Sequence, residues 1–181
     1  MVVIETKRLI LRTWENNDIN DYYLINQDPA VVEFLLKTSS IEQAKKFTEN
    51  MNLQFDIHGY TLFAVEEKKS GQLIGFTGLN APKWSAHFTP CVEIGWRLSS
   101  QFWGNGYATE AATAVLDYGF KECALKEILA WTVPANLRSI RVMEKIGMER
   151  DMNGDFNHPD VPEGHELLRH ILYRVKRLNH L

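Results

Sequence analysis

The residues with the clearest capacity for chemistry are Gln101-Phe-Trp-Gly104-Asn-Gly106-Tyr-Ala108, set between an apolar run and an amphipathic helix. The run before them, Cys91–Leu98, reads as a strand. After them Ala108, Ala111, Ala112, Val115, Leu116, Gly119 and Phe120 recur with helical period, and Thr109, Glu110, Thr113, Asp117 and Lys121 fall on the opposite face. Strand, glycine turn and helix start together leave backbone N–H groups unpaired and converging. The helix dipole adds roughly half a positive charge at the same point. Such a turn binds anions, phosphate most naturally. The P-loop form G-x-x-x-x-G-K-[ST] is not met. The dinucleotide fingerprint G-x-G-x-x-G needs a third glycine at the place of Thr109. The other reading of the two glycines is a tight strand-to-helix turn with close packing and no ligand.

Gln101, Gly104 and Gly106 do satisfy a different pattern, Q/R-x-x-G-x-G/A. A second block follows. Glu127–Thr132 reads as a strand, and Val-Pro-Ala leads into Asn136-Leu-Arg-Ser139-Ile-Arg-Val-Met-Glu-Lys-Ile-Gly147-Met. Asn136 is a good helix N-cap, Ile140, Met143 and Ile146 are apolar at helical spacing, and Gly147 marks a stop. The amino end carries Glu5-Thr-Lys-Arg-Leu-Ile-Leu-Arg12. The carboxyl end carries Asp155-Phe-Asn-His-Pro, Pro162-Glu-Gly-His165 and Leu167-Leu-Arg-His-Ile-Leu-Tyr-Arg174. On these motifs, which span nearly the whole chain, the protein resembles the GNAT superfamily of N-acetyltransferases, and within it the RimJ/RimL-like branch named for acetyltransferases of ribosomal-protein amino termini.

The resemblance implies an acetyl-CoA-dependent N-acetyltransferase that transfers the acetyl group to a primary amine by direct attack in a ternary complex. It implies an α/β (α+β) fold: a mixed, mostly antiparallel sheet, flanked by helices, with a V-shaped splay between the fourth and fifth strands, helped by a bulge near Gly95. Carried over position by position, Gln101, Trp103, Gly104, Asn105, Gly106, Tyr107 and Ala108 surround the coenzyme's pyrophosphate. Trp96, Leu98, Asn136 and Ser139 meet the pantetheine arm, and Arg141, with Arg138 and Lys145 nearby, faces the 3′-phosphate. Glu93 is the candidate general base, the alternative being a structural carboxylate paired with Arg97. Many members place a tyrosine on the second helix to protonate the departing thiolate. Met143 stands there in this chain, so Ser139 becomes the candidate acid, the alternative being service at the helix end. The other class of function is a coenzyme A-binding regulatory or sensor module without turnover.

The acceptor is expected to be a protein amino terminus or a small amine. At pH 7 an α-amine of pKa about 7.8 is roughly 10–15% neutral, but a lysine of pKa about 10.4 only about 0.04%, so a lysine needs about 3.5 kcal/mol more deprotonation. Trp84 and Phe88 are candidates for the acceptor pocket. Glu66 and Glu67 on one side, and Asp155, Asp160, Glu163 and Glu166 on the other, are expected around its mouth, where they would favour a cationic acceptor.

The remaining sequence positions these groups. A chain of 181 residues with 45% apolar content suits one domain, residues 1–181. The net charge of −3 argues against a general nucleic-acid partner. Cys91 and Cys123 read as reduced core thiols inside regular elements. No Cys/His/carboxylate spacing suggests a metal, His165 and His170 included. No uncharged run of about 18 residues is present, so no membrane association is expected and the location is expected to be cytoplasmic. A homodimer stays open. Leu9–Thr13 reads as the first strand. Asp18 caps a short helix that Asp28-Pro29 closes, and Ser40 with Gln43 forms a capping box for a longer helix ended by His58-Gly59. Tyr60–Glu66 and Leu73–Leu79 read as a hairpin, and a final strand pair follows the second helix.

Overall fold

A computed structural model describes residues 1–36 and 39–177. Its eight described strands form one sheet in the order β1-β2-β3-β4-β5-β6-β8-β7. The strands are β1 (Val2–Glu5), β2 (Leu9–Arg12), β3 (Leu62–Glu67), β4 (Gln72–Asn80), β5 (Glu93–Leu98), β6 (Glu127–Thr132), β7 (Glu149–Asn157) and β8 (Arg169–Lys176). All pairs are antiparallel except β5 with β6. The segment at the amino end is thus not one strand but two, folded back at Thr6-Lys7-Arg8. With β1 added, the expected splay falls between β5 and β6. These two share only the Glu93–Leu129 pair, plus a hydrogen bond from the Leu129 N–H to the Val92 carbonyl (2.9 Å). The bulge expected near Gly95 is not found in the β4–β5 ladder, which runs in unbroken register from Gly75–Leu98 to Asn80–Glu93. The splay arises because β5 turns off into α4 while β6 follows β8 over six residue pairs.

Among the described residues five helices surround the sheet: α1 (Asp18–Ile25), α2 (Pro29–Val32), α3 (Ile41–His58), α4 (Tyr107–Lys121) and α5 (Leu137–Lys145). The Ser40/Gln43 capping box forms as the sequence predicts, and α3 ends at Gly59 with φ +73°. Asp18 does not cap α1. It is the first helical residue, and its carboxylate accepts from the Arg12 guanidinium (2.7 and 2.9 Å) and the Glu15 N–H (2.7 Å). Asp28-Pro29 closes no helix either. Asp28 caps α2 by accepting from the Ala30 N–H (2.9 Å), and Pro29 takes the first helical position, where its missing N–H costs nothing.

Alternation along the strands sorts the core into two faces. Ile94 and Leu98 of β5, Ile128 and Ala130 of β6 and Tyr173 of β8 pack with the apolar stripe of α4 and with Met143 and Ile146 at α5. On the opposite face Trp14, Tyr22, Ala44, Ala64 and Phe76 form a cluster under α1 and α3. Farther along that face Leu129, Phe156 and Leu172 pack with Trp84, Phe88 and Trp131. The splay lies between these last two clusters.

Candidate active site

The glycine turn is built where β5 ends. A 3₁₀ turn, Ser100–Phe102, carries the chain from β5 to Gly104 and Gly106, both with φ +78°, and α4 starts at Tyr107. L side chains rarely adopt that backbone, so glycine is needed at both places. Gly106 is the N-cap and offers no side chain, so the first-turn N–H groups of α4 are left to solvent or a ligand. Gln101, Gly104, Asn105 and Gly106 are exposed.

A clamp that the sequence reading missed holds this turn. The Arg8 guanidinium donates to the Asn105 carbonyl (2.9 Å) and to Glu110 (2.6 Å), and lies 4.4 Å from the Tyr107 ring centre. Glu110 also accepts from the Thr6 hydroxyl (2.7 Å) and the Arg8 N–H (2.9 Å). The Tyr107 hydroxyl donates to Glu67. The acidic residue in the first turn of α4 is therefore neutralised by an arginine brought from the β1–β2 turn, and the site keeps its positive potential.

The splay opens into a cleft of about 310 Å³. One wall is β5 from Glu93 to Leu98, with Trp103 and Ala108 beyond it. The other is Trp131, Thr132 and Val133 at the end of β6, with Asn136, Arg138, Ser139 and Met143 of α5. Alternate residues of an antiparallel edge turn N–H and C=O away from their partner strand, so β5 offers backbone groups to the gap that β6 leaves. The Leu98 carbonyl is already occupied by the Trp103 indole N–H (2.8 Å). Asn136 caps α5 through its side chain, accepting from the Ser139 N–H (3.2 Å), and still faces the cleft. The α2 segment roofs the cleft with Val31, Phe34 and Leu35. It is tied across by Arg138 to Glu33 (2.6 Å) and by the Ser100 hydroxyl to Asp28.

Glu93 faces this cleft half-buried, with Asn80 as its hydrogen-bond donor (2.8 Å). Burial disfavours its charged form and pushes its carboxyl up to about 7, against the lowering effect of Asn80. It is not paired with Arg97, which donates to Asn26 instead. A carboxyl poised near neutral pH in a cleft can take up and release a proton there. The Cys91 thiol is pushed up to about 11 by burial and by Glu93, which keeps it protonated and a poor nucleophile. Cys91 and Cys123 lie just beyond the ends of β5 and α4, not inside them.

Two other expectations are displaced. Trp84 and Phe88 do not line the cleft; they pack behind it, on Trp131 (5.3 and 5.7 Å between ring centres) and Phe156 (5.7 and 4.8 Å). Three of the six carboxylates expected at the mouth are engaged elsewhere, and Glu166 lines a neighbouring pocket that shares Phe34 and Val133 with the cleft. Glu66 is bound by Arg12 (2.9 Å), Glu67 serves Tyr107 and Ser70 (2.7 Å) at the opposite end of the site, and Asp155 is held by Arg150 and Arg169. Among the described residues Glu93 is the only carboxylate in the lining. Arg141 is exposed on α5 outside it, and Tyr107 turns away from it toward Glu67. In the places expected for Trp84 and Phe88 the cleft has Trp131, His158 and His170. No local spacing announces these, because strand pairing across β6, β8 and β7 brings them together.

Comparison with known proteins agrees with this geometry. The acetyltransferase (GNAT) domain model matches residues 8–149. An uncharacterized N-acetyltransferase of Bacillus subtilis, YnaD, is 32% identical over 173 residues, covering 95% of this chain and 95% of that protein. A GNAT-family acetyltransferase from Bacillus anthracis, known from its crystal structure, is 31% identical with a TM-score of 0.78, covering 98% of this chain and 99% of the other. The fold is also that of RimL, a ribosomal L7/L12 α-N-protein acetyltransferase solved with coenzyme A, at a TM-score of 0.78 and 14% identity over 97% of this chain and 98% of the other.

Proposed function

The chain belongs to the GNAT acetyltransferase family, and from that premise we propose that it transfers an acetyl group from acetyl-CoA to a primary amine by direct attack within a ternary complex. The observation that carries the reading is the splay. It joins an anion-binding turn at one end to a carboxyl of raised pKa at the other through one continuous strand, β5.

The pyrophosphate fits the exposed glycine turn, where αL glycines and first-turn N–H groups face outward with Arg8 beside them. The pantetheine arm fits between β5 and α5, along Trp96, Leu98, Asn136 and Ser139. The thioester supplies an electrophilic carbonyl carbon. Glu93, in its ionised form, accepts a proton from the incoming amine, whose nitrogen bonds to that carbon as the carbon–sulfur bond breaks. The sulfur takes a proton, for which the Ser139 hydroxyl, on the α5 wall of the cleft, is the available donor. Met143, a buried thioether at the place where a tyrosine is common, has no proton to give. The branch reading, with an acceptor of α-amine type such as a protein amino terminus, is supported by the fold shared with RimL. It is also supported by the low deprotonation cost of an α-amine.

The test is thiol release from acetyl-CoA with a panel of amines: amino-terminal peptides, lysine, polyamines and free amino acids. Turnover with any of them supports transfer. Tight acetyl-CoA binding without thiol release across the panel would instead identify a coenzyme-binding module.

A further inference from the structure

At the end of the cleft away from the glycine turn, His158 and His170 stand with ring centres 5.1 Å apart, both half-buried and both in the lining. Their backbone hydrogen bonds assign the tautomers. The His158 Nδ1 accepts from the Asp160 N–H (3.2 Å), so the neutral ring carries its proton on Nε2. The His170 Nδ1 contacts the Leu168 carbonyl (3.3 Å), which can only accept, so Nδ1 holds the proton and Nε2 is a bare acceptor. Burial lowers the pKa of both, which keeps them neutral at pH 7. The result is one donor and one acceptor side by side. Neither Nε2 has a hydrogen-bond partner among the described residues. Trp84 packs on His158 (4.9 Å between ring centres) and Phe156 on His170 (5.6 Å) and His158 (6.1 Å).

Strand register sets the distance to the chemistry. Glu93 is level with Leu129, whereas Trp131 is level with Leu172 and Thr132 with Ile171, so His170 stands level with Val133. Along the sheet that separation is on the order of 13 Å at roughly 3.3 Å per residue. Glu93 pairs with Leu129, and His170 lies two residues from Leu172, so both project from the Leu129–Leu172 face into one cleft. The lining brings Trp131 from the sheet and Phe34 and Leu35 from the roof, with Thr132 and the cationic Arg138 beside them.

We propose that His158 and His170 form a distal acceptor subsite that pairs with a neutral amide of the acceptor, on the order of 13 Å along the strands from the amine held at Glu93. The inference rests on the acetyltransferase reading and adds to it the length and charge of the acceptor: an extended, uncharged chain with paired hydrogen-bond donor and acceptor. A compact monoamine or a polycation does not fit. The donor–acceptor pair matches a peptide unit, and among the described residues the one carboxylate in the lining is at the reacting end.

An alanine series of one to four residues, each with a free α-amine and an amidated end, tests it by thiol release. In the wild type kcat/KM should rise at least tenfold from the single residue to the longer members. His158→Ala and His170→Ala should each lose most of that gain through KM, and His170→Gln, which keeps an acceptor, should retain part of it. Spermidine, similar in reach but cationic, should show no such gain. A flat wild-type series, a preference for spermidine, or a length gain that survives both alanine substitutions overturns the subsite. Absence of thiol release from every acceptor overturns the acetyltransferase reading itself, and the subsite with it.

Discussion

The two ends of the cleft are made in different ways. The proposed coenzyme end is a single stretch of chain, Gln101 to Ala108, whose assigned chemistry is in backbone N–H groups and in two glycines with φ +78°. Polar contacts brace it from outside: Arg8 on Asn105 and Glu110, and Tyr107 on Glu67. The proposed acceptor end has no such stretch. It is Glu93 from β5, Trp131 from β6, His158 after β7, His170 from β8 and Phe34 after α2, held by aromatic contacts. Binding a phosphate needs a backbone shape, which neighbours in sequence can make. Reading an acceptor needs side chains converging from several directions, which only the packed sheet can supply.

If that contrast is right, substitutions at the two ends should separate cleanly in kinetics. The largest effect is expected for Glu93→Gln, which removes the base and leaves the glycine turn untouched. kcat/KM should fall about 100-fold with lysine-like amines and less with α-amines, while acetyl-CoA affinity measured by calorimetry stays the same. An equal loss for every amine would break the assignment of Glu93 to amine deprotonation.

Gly106→Val strikes the other end. A β-branched residue at φ +78° is strained, and its side chain would approach the Arg8 guanidinium, 3.6 Å from an added Cβ. Acetyl-CoA should bind at least tenfold more weakly, about 1.4 kcal/mol, with the acceptor KM little changed. Unaltered affinity in a titration would remove the phosphate from this turn.

Ser139→Ala sharpens the middle of the cleft, where the two ends meet. If the hydroxyl delivers the proton to sulfur, kcat should drop about tenfold at constant acetyl-CoA affinity. Full turnover would leave Ser139 as a helix-end residue only, since its N–H, not its hydroxyl, is what Asn136 accepts.

The smallest expected effect is on stability. Burial raises the folded-state pKa of Glu93 from 4.5 to about 7. A carboxyl raised on folding favours the native state fully below its unfolded pKa, and that contribution is lost as pH rises through the folded value. Glu93→Gln should therefore gain on the wild type between about pH 5 and 8, seen as a difference in Tm that widens with pH. Thermal melts at the two pH values that show a constant difference would mean that water solvates the carboxylate in the cleft.

Much of this protein was legible in its residues. The period of the α4 stripe, the Ser40/Gln43 box, the Asn136 cap and the Gly147 stop are local signals, and each appears in the structure because backbone geometry at a helix end depends on a few neighbouring residues. The glycine turn belongs with them, as does Glu93, one strand length earlier. Asp28-Pro29 carried a legible signal as well, since aspartate followed by proline starts a helix as readily as it ends one. What tertiary structure alone decided is where charges and aromatic rings end up. Glu66 and Glu67 went to Arg12 and Tyr107, Trp84 and Phe88 went behind the wall, and Arg8 went to the glycine turn. His158 and His170 were joined by the β7–β8 pairing of Phe156 with His170. Long-range pairing fixes such partners through the register of strands far apart in the chain, and a period read along one segment carries no information about its register with another.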